Sequence, residues 1–230
     1  MSNHTKQEDR TAFHFGQKFD WALPPVPPAP PKRDDDDDQH LYDEHFRWVR
    51  KGRVADSCAP YRLARDIGWV VKSPVDVQIS PVDDMAFEAP EDELAALAEQ
   101  AGFNQIWRRD NICYGVRTEM VLRMYDFKAN SGWEAMFIVN GERSLEWRLG
   151  FTVSAPDNWG LLIVEEFGDN NIGIVPGILT AKQLQDISDN IGFSLAFRPE
   201  RKQWIKRGEP IARLIPIHLD GIRMSTRTAK

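Results

Sequence analysis

Residues 191–217, IGFSLAFRPERKQWIKRGEPIARLIPI, carry the clearest structural pattern in the chain. The first part alternates large apolar residues with small or polar ones, which is the period of a half-buried strand. A polar turn follows, the apolar register resumes at Trp204, and Gly208 centres a second turn before a final β-rich run. Pro210 and Pro216 favour strand ends or a sheet edge. The stretch therefore predicts the closing hairpin of a compact β core.

The same strand-like pattern recurs along the chain and is interrupted by two helical patterns. Residues 60–68 begin with a proline and end with Gly68, and residues 91–101 repeat leucines at helical spacing before Gly102. Strand-like runs fill most of the remaining chain, at residues 69–71, 75–79, 112–116, 119–127, 133–140, 145–153 and 161–164. We therefore predict a mainly β protein with two short helices, built as a barrel or sandwich.

Composition limits the classes of partner. The 230 residues are 42% hydrophobic and carry a net charge of −6, which argues against general nucleic-acid binding but leaves local basic patches open. No apolar run reaches the roughly 20 residues that span a bilayer. Cys58 and Cys113 lie far apart without a metal-type spacing, so reduced thiols are expected. These features predict a soluble, cytoplasmic protein with no membrane partner.

The N-terminal region has a different composition. Residues 24–31 are mostly proline, and residues 34–38 are five consecutive aspartates, which repel one another and resist folding. We predict that residues 1–38 form a disordered tail whose scattered aromatics do not join a core. The proline run could instead dock on a partner, and the acidic run could hold a cation. Residues 39–56 are an uncertain lead-in, 57–220 a single β-rich domain and 221–230 a C-terminal tail.

Several motifs resemble a family of bacterial and phage proteins whose function is not established. They are RLARDIGW at 62–69, SPVDV at 73–77, VSAPDNWG at 153–160, GIL at 177–179 and IKRGEPIARLIP at 205–216. The likeness covers roughly residues 57–220 and implies no activity.

The C-terminal order is similar, more distantly, to the β-clip fold of dUTPases and dCTP deaminases. Residues 206–214 resemble the closing strand of those enzymes, with Arg213 where glutamine is usual. The segment Gly177-Ile178-Leu179-Thr180-Ala181 lacks the aspartate that would orient an attacking water, and no Arg-Ser-Gly motif precedes it. The resemblance therefore implies a β-clip-like fold without an intact dUTPase site.

The candidate chemistry lies in polar residues around the apolar strand at 161–164. The loop that follows, EEFGDNN at 165–171, could hold a cation or polar ligand, or could be an ordinary solvated turn. The predicted ligand-binding residues are Trp159, Glu165, Glu166, Asp169, Asn170 and Glu209. Neither a catalytic residue, a cofactor nor a metal site is assigned, since Cys113 lies in an apolar strand and the His218-Leu219-Asp220 sequence has no following histidine.

Two functions of different classes follow from these patterns. The first is a β-clip-like protein that binds a small polar or nucleotide-like ligand, with tryptophans among the walls of its pocket, and that could be an enzyme with non-standard catalytic residues. The second is a structural or interaction module that acts as a homo-oligomer. The apolar residues of the closing stretch exceed what one face of a hairpin buries, which favours either the same chain's core or a second copy as their partner. We expect a homo-oligomer on this basis.

Overall fold

The computed structural model describes residues 12–29, 59–117, 125–166 and 172–222, and this part of the chain is mainly β. The strands are β1 His14–Gln17, β2 Trp69–Lys72, β3 Val77–Ile79, β4 Asp83–Phe87, β5 Gln105–Arg109, β6 Ile112–Arg117, β7 Asp126–Ala129, β8 Gly132–Ala135, β9 Phe137–Gly141, β10 Ser144–Arg148, β11 Phe151–Ser154, β12 Trp159–Glu165, β13 Gly177–Thr180, β14 Ser194–Phe197, β15 Gln203–Ile205 and β16 Pro210–His218. The helices are α1 Ala59–Asp66, α2 Leu94–Ala101, α3 Ala181–Asp189 and α4 Leu219–Ile222, with a 3₁₀ turn at Glu91–Glu93. The predicted mainly β class is confirmed.

All of the described strand pairs are antiparallel, and the largest sheet has the order β13-β12-β16-β2. Smaller ladders are β14-β10-β9, β4-β6-β5, β1-β11, β15-β3 and β7-β8. The long strand β16 lies inside the main sheet, so the expected sheet edge is wrong, whereas Pro210 does stand at a strand end, the other position predicted for the prolines. Pro210 begins the strand beside a register shift, and Pro216 lies beyond Leu214, the last residue paired with β2. Each proline thus avoids a position where both neighbouring strands need its backbone.

The predicted closing hairpin is wrong, although its strands exist. β14 pairs with β10, β15 with β3, and β16 with β12 and β2. The turn around Gly208 is bonded instead to Ser73, whose backbone N–H donates to Glu209 O at 2.9 Å and whose carbonyl accepts from Gly208 N at 2.8 Å. Alternation identifies a strand, but it does not choose that strand's partner.

The prediction of a disordered tail at 1–38 is wrong for residues 12–29. β1 pairs with β11, and Val26 forms a bridge with Val70 of β2. Ala22 is fully buried, and the aromatic side chains of this segment pack against the core, namely Phe13, Phe15, Phe19 and Trp21. Aromatic residues spaced along an extended segment can each fill a separate site on a preformed body, so their sparse spacing does not prevent burial. Residues 30–38 and the lead-in at 39–56 lie outside the described residues.

The core is a continuous cluster of aliphatic and aromatic residues between the sheets. Its largest member is Trp147, which is fully buried and whose ring centroid lies 5.0 Å from Phe137 and 5.7 Å from Phe197. Phe151 and Phe193 stack at 4.7 Å. Of the tryptophans considered as pocket walls, Trp147 is therefore a core residue, while Trp133 and Trp204 are exposed.

Both predicted helices are present, and the structure adds a third of similar length. Gly68, just after α1, has φ 81°, and a Cβ there would lie 2.0 Å from the carbonyl oxygen of Leu214, so only glycine allows α1 to approach β16. Helix α3 was missed. Its N-cap Thr180 and Gln183 form a capping box, the Thr-x-x-Gln pattern that marks a helix start in sequence.

Within the described ranges, no helix is long and apolar enough to cross a membrane.

The buried thiol of Cys113 on β6 agrees with its predicted role as a small core residue. The turn between β9 and β10 is formed by Glu142 and Arg143, which both have positive φ.

Candidate functional site

The two glutamates at the end of β12 both have partners within the chain. Glu165 accepts the backbone N–H groups of Ile172 at 2.8 Å and Ile174 at 2.6 Å through separate carboxylate oxygens. The carboxylate thus holds the backbone at Ile172 and Ile174 next to the end of β12. Asp169 and Asn170, also predicted to bind ligand, lie outside the described residues.

Glu166 forms a buried ion pair with Arg213 of β16. Arg213 Nε donates to Glu166 Oε2 at 2.7 Å and Nη2 donates to Oε1 at 2.5 Å, and the two side chains are only 4% and 11% exposed. The remaining guanidinium nitrogen donates to the carbonyls of Arg65 and Ile67 at the end of α1. Arg213 thereby joins the helix, the central strand and the end of β12.

The other two predicted ligand-binding residues in the described part of the chain, Glu209 and Trp159, lie at separate positions. Glu209 Oε2 accepts the backbone N–H of Lys206 at 3.0 Å and closes the turn before β16. Trp159 lies at the other end of β12 from Glu165, about 20 Å along the strand. Its ring meets His218 edge-on at 5.2 Å and Phe13 at 6.2 Å. Trp159 is therefore not brought together with the carboxylates, and a ligand-binding role for these residues stays a prediction.

A polar cavity lies elsewhere, between the N-terminal segment, the end of α3 and the β7–β8 hairpin. Its volume is about 630 Å³, and its lining residues are Lys18, Phe19, Lys128, Ala129, Asn130, Ser131, Asp189, Asn190 and Ile191. This volume lies in the usual range for small-molecule sites, about 300–1,000 Å³. Because both lysines are cationic and Asp189 is anionic, the ionisable lining has a net charge of +1 at neutral pH.

The fold fixes one side of this cavity through β1, β11 and α3. The buried Ser188 hydroxyl accepts the N–H of Val153 at 2.8 Å and donates to its carbonyl at 3.0 Å, which docks α3 on β11. On the opposite side of β11, β1 leads directly to Lys18, whose backbone N–H donates to Gly150 O. The lysine and the end of α3 are thus positioned by the same strand.

Lys18 is held at the carboxyl end of α3. Its Nζ donates to Ser188 O at 2.6 Å and Asp189 O at 2.9 Å, where the helix dipole favours a cation. An ammonium group has three donors, so one hydrogen remains for another acceptor. The carboxylate of Asp189 accepts from Gln185 Nε2 at 2.8 Å. The lysine is therefore oriented by neutral carbonyls, and its charge is available to the cavity.

The β7–β8 hairpin is anchored by a carboxylate next to the cavity. Glu134 accepts from the Ser131 hydroxyl at 2.8 Å and from Arg148 Nη1 at 3.0 Å. The hydrogen bond from Ser131 lowers the pKa of the Glu134 carboxyl, and Arg148 lowers it further. The Glu134 carboxylate thus links a cavity-lining serine to β10.

This network predicts a pH-dependent contribution to stability. Because the folded-state pKa of Glu134 is lowered, its stabilising effect is present above the unfolded-state pKa and is lost as pH falls through the folded value. Glu134→Gln should lower the melting temperature at pH 7, and its difference from wild type should shrink below about pH 4. Thermal unfolding monitored by circular dichroism across this range is the measurement. A difference that stays constant with pH would contradict the assignment.

Sequence reasoning missed this cavity because Lys18 falls in the presumed tail and α3 was not identified. The capping box at Thr180 was the available signal for α3. In the part of the chain that the structure describes, no group of three or more His, Cys, Asp or Glu residues is arranged to hold a metal ion.

Comparison of the chain with protein-family models, with curated proteins and with solved structures finds no match.

Proposed function

We propose that the protein binds a small anionic molecule, a carboxylate or a phosphate monoester, in the cavity between Lys18 and Lys128. The orientation of Lys18 is the observation that carries this proposal. A lysine bonded to two carbonyls keeps its full charge while losing most of its rotational freedom. Pre-ordering of this kind lowers the entropic cost of ligand binding.

The other lining residues suit a polar ligand of modest charge. The amides of Asn130 and Asn190 provide donors and acceptors, and Phe19 and Ile191 provide apolar surface. The Ser131 hydroxyl donates its hydrogen to Glu134, so it provides only an acceptor. Asp189 offsets one of the two lysine charges, which favours a ligand with one or two negative charges, such as a carboxylate or a phosphate monoester, over a polyphosphate. The proposal develops the predicted small polar ligand and places it away from the glutamates of β12.

The alternative prediction is a homo-oligomeric structural module, and it is based on the surplus of apolar residues in the closing stretch. Ile205, Ile211 and Leu214 are at most 3% exposed, so the core of the same chain accounts for much of the apolar surplus in the closing stretch. Homo-oligomer formation stays a prediction, tested by light scattering.

Binding at the cavity is tested with a matched pair of lysine variants. In a thermal-shift screen with inorganic phosphate, 2-oxo acids and mononucleotides, a ligand of the native state should raise the melting temperature by mass action. Lys128→Met should weaken binding of an active compound by about 10- to 150-fold, the value of one charge-assisted hydrogen bond. Isothermal titration calorimetry gives the dissociation constants.

Lys182→Met is the control, because Lys182 is exposed on α3 and does not line the cavity. Binding should survive this change. If Lys128→Met and Lys182→Met had equal effects, the lysines would act only through overall charge, and the cavity would not be the binding site.

A further inference from the structure

Strand β15 carries an exposed tryptophan, and an exposed lysine lies at each end of the strand. Trp204 is 66% exposed, while its neighbour Ile205 is 3% exposed and belongs to the core. Lys202 immediately precedes β15 and Lys206 immediately follows it, and both lysines are exposed. We call Lys202, Trp204 and Lys206 the β15 stripe.

The β15 stripe has little role in the fold. Both lysines are exposed, and no hydrogen bond or ion pair of either ammonium group occurs among the described residues. Trp204 leaves two thirds of its surface in water, although a tryptophan contributes most to stability when buried. An exposed tryptophan next to exposed lysines is better suited to binding a partner than to stabilising the core.

Charge is concentrated around this strand in an otherwise acidic protein. Residues 198–207 contain five basic residues and one acidic residue, a net charge of +4, whereas the whole chain has −6. Two further carboxylates lie beside this segment and reduce the excess to +2, and each accepts a backbone N–H. Asp76 accepts the N–H of Arg207 at 2.7 Å, and Glu209 accepts the N–H of Lys206 at 3.0 Å.

The neighbouring strand adds a polar group to the same face. Gln78 of β3 lies directly opposite Trp204 in the antiparallel ladder, so the two side chains are neighbours on the solvent face. An amide can donate and accept hydrogen bonds at the edge of a planar ring. The exposed side of β15 and β3 therefore carries an aromatic surface and an amide, with a cation at each end of β15.

We propose that the β15 stripe binds single-stranded nucleic acid. A base stacks on the Trp204 indole, Lys202 and Lys206 contact the phosphates on either side, and the Gln78 amide lies at the base edge. Base stacking on aromatic residues between cationic side chains is the general mode of single-strand recognition. An acidic peptide would satisfy the lysines but would leave the exposed indole without a planar partner, so nucleic acid fits better. The inference is independent of the anion cavity.

The test is fluorescence anisotropy of a labelled oligothymidylate of about 12 nucleotides, titrated with the full-length protein at low and moderate salt. Trp204→Ala should weaken binding about 5- to 150-fold, the range for loss of one stacked base. Replacing Lys202 and Lys206 together by glutamine should lower the slope of log affinity against log salt by about 1.4, since each phosphate contact in a single strand contributes about 0.7.

Trp133→Ala is the matched control, because Trp133 is 74% exposed on β8, a separate hairpin strand. It should bind like wild type. Three outcomes would overturn the proposal: no oligonucleotide binding by wild type at low salt, equal weakening by Trp133→Ala and Trp204→Ala, or an acidic peptide of equal charge that competes as well as the oligonucleotide. Since Trp204 is outside the core, circular dichroism should confirm that the variants remain folded.

Discussion

Replacing Arg213 by methionine should destabilise the protein by about 3–5 kcal/mol, the usual cost of breaking a buried ion pair by removing one partner. The variant leaves the carboxylate of Glu166 nearly buried without its cation. It also removes the donor to the carbonyls of Arg65 and Ile67, so the end of α1 loses its link to β16. Equilibrium unfolding in urea, followed by tryptophan fluorescence, measures the free energy of unfolding.

The chain offers a matched control for this experiment. Arg198 pairs with Glu142 at 3.6 Å, but the two side chains are 49% and 91% exposed. Solvent-exposed pairs contribute about 0–1 kcal/mol, so Arg198→Met should have a small effect. The double variant Glu166→Gln, Arg213→Met should recover part of the loss, because it removes the unpaired charge. Equal effects of Arg198→Met and Arg213→Met would show that burial adds nothing to the second pair.

Deleting residues 1–29 should abolish cooperative folding or reduce the free energy of unfolding by several kcal/mol. The deletion removes β1 from its ladder with β11, the bridge between Val26 and Val70, and the buried Ala22. It also removes four aromatic side chains that pack against the core, and full burial of one such side chain is worth about 1.5–3 kcal/mol. Their combined loss is large compared with a typical domain stability of about 5–15 kcal/mol.

A shorter deletion, of residues 1–11, leaves all of these contacts in place and is the control. Differential scanning calorimetry should give similar melting temperatures for this form and the full chain, and a lowered or absent transition for the longer deletion. If both deletions melted like the full chain, residues 12–29 would contribute nothing to the stability of the core.

The comparison of sequence with structure shows what local patterns determine. Alternation and glycine placement correctly indicate that residues around Phe197 and Leu214 are strands and that helices end near Gly68 and Gly102, because these signals depend on nearby residues alone. Pairing depends on surfaces that meet only after folding. For this reason the strands near Trp204 were assigned to each other, when each joins a more distant partner.

The prediction of the candidate site from sequence was limited in the same way. The loop after β12 was identified from its residue types, but Glu165 and Glu166 are bonded to Ile172, Ile174 and Arg213. Residue type does not reveal whether a carboxylate already has a partner. Lys18 was overlooked because it precedes a proline run and an acidic run, whose composition was extended to the whole N-terminal region. The capping box at Thr180 was a local signal that could have been used.

The position of β16 in the main sheet has a consequence for biosynthesis. β2 and β16 are neighbours in the sheet but lie about 140 residues apart in the chain, so β2 leaves the ribosome well before β16. Likewise, β1 cannot form its ladder until β11 has been made. Sheets held together by such distant pairings form slowly. The entropy lost on closing a long loop opposes folding before the strand contacts that offset it have formed. During translation the edges of β2 and β12 that β16 covers therefore remain exposed until β16 has been made.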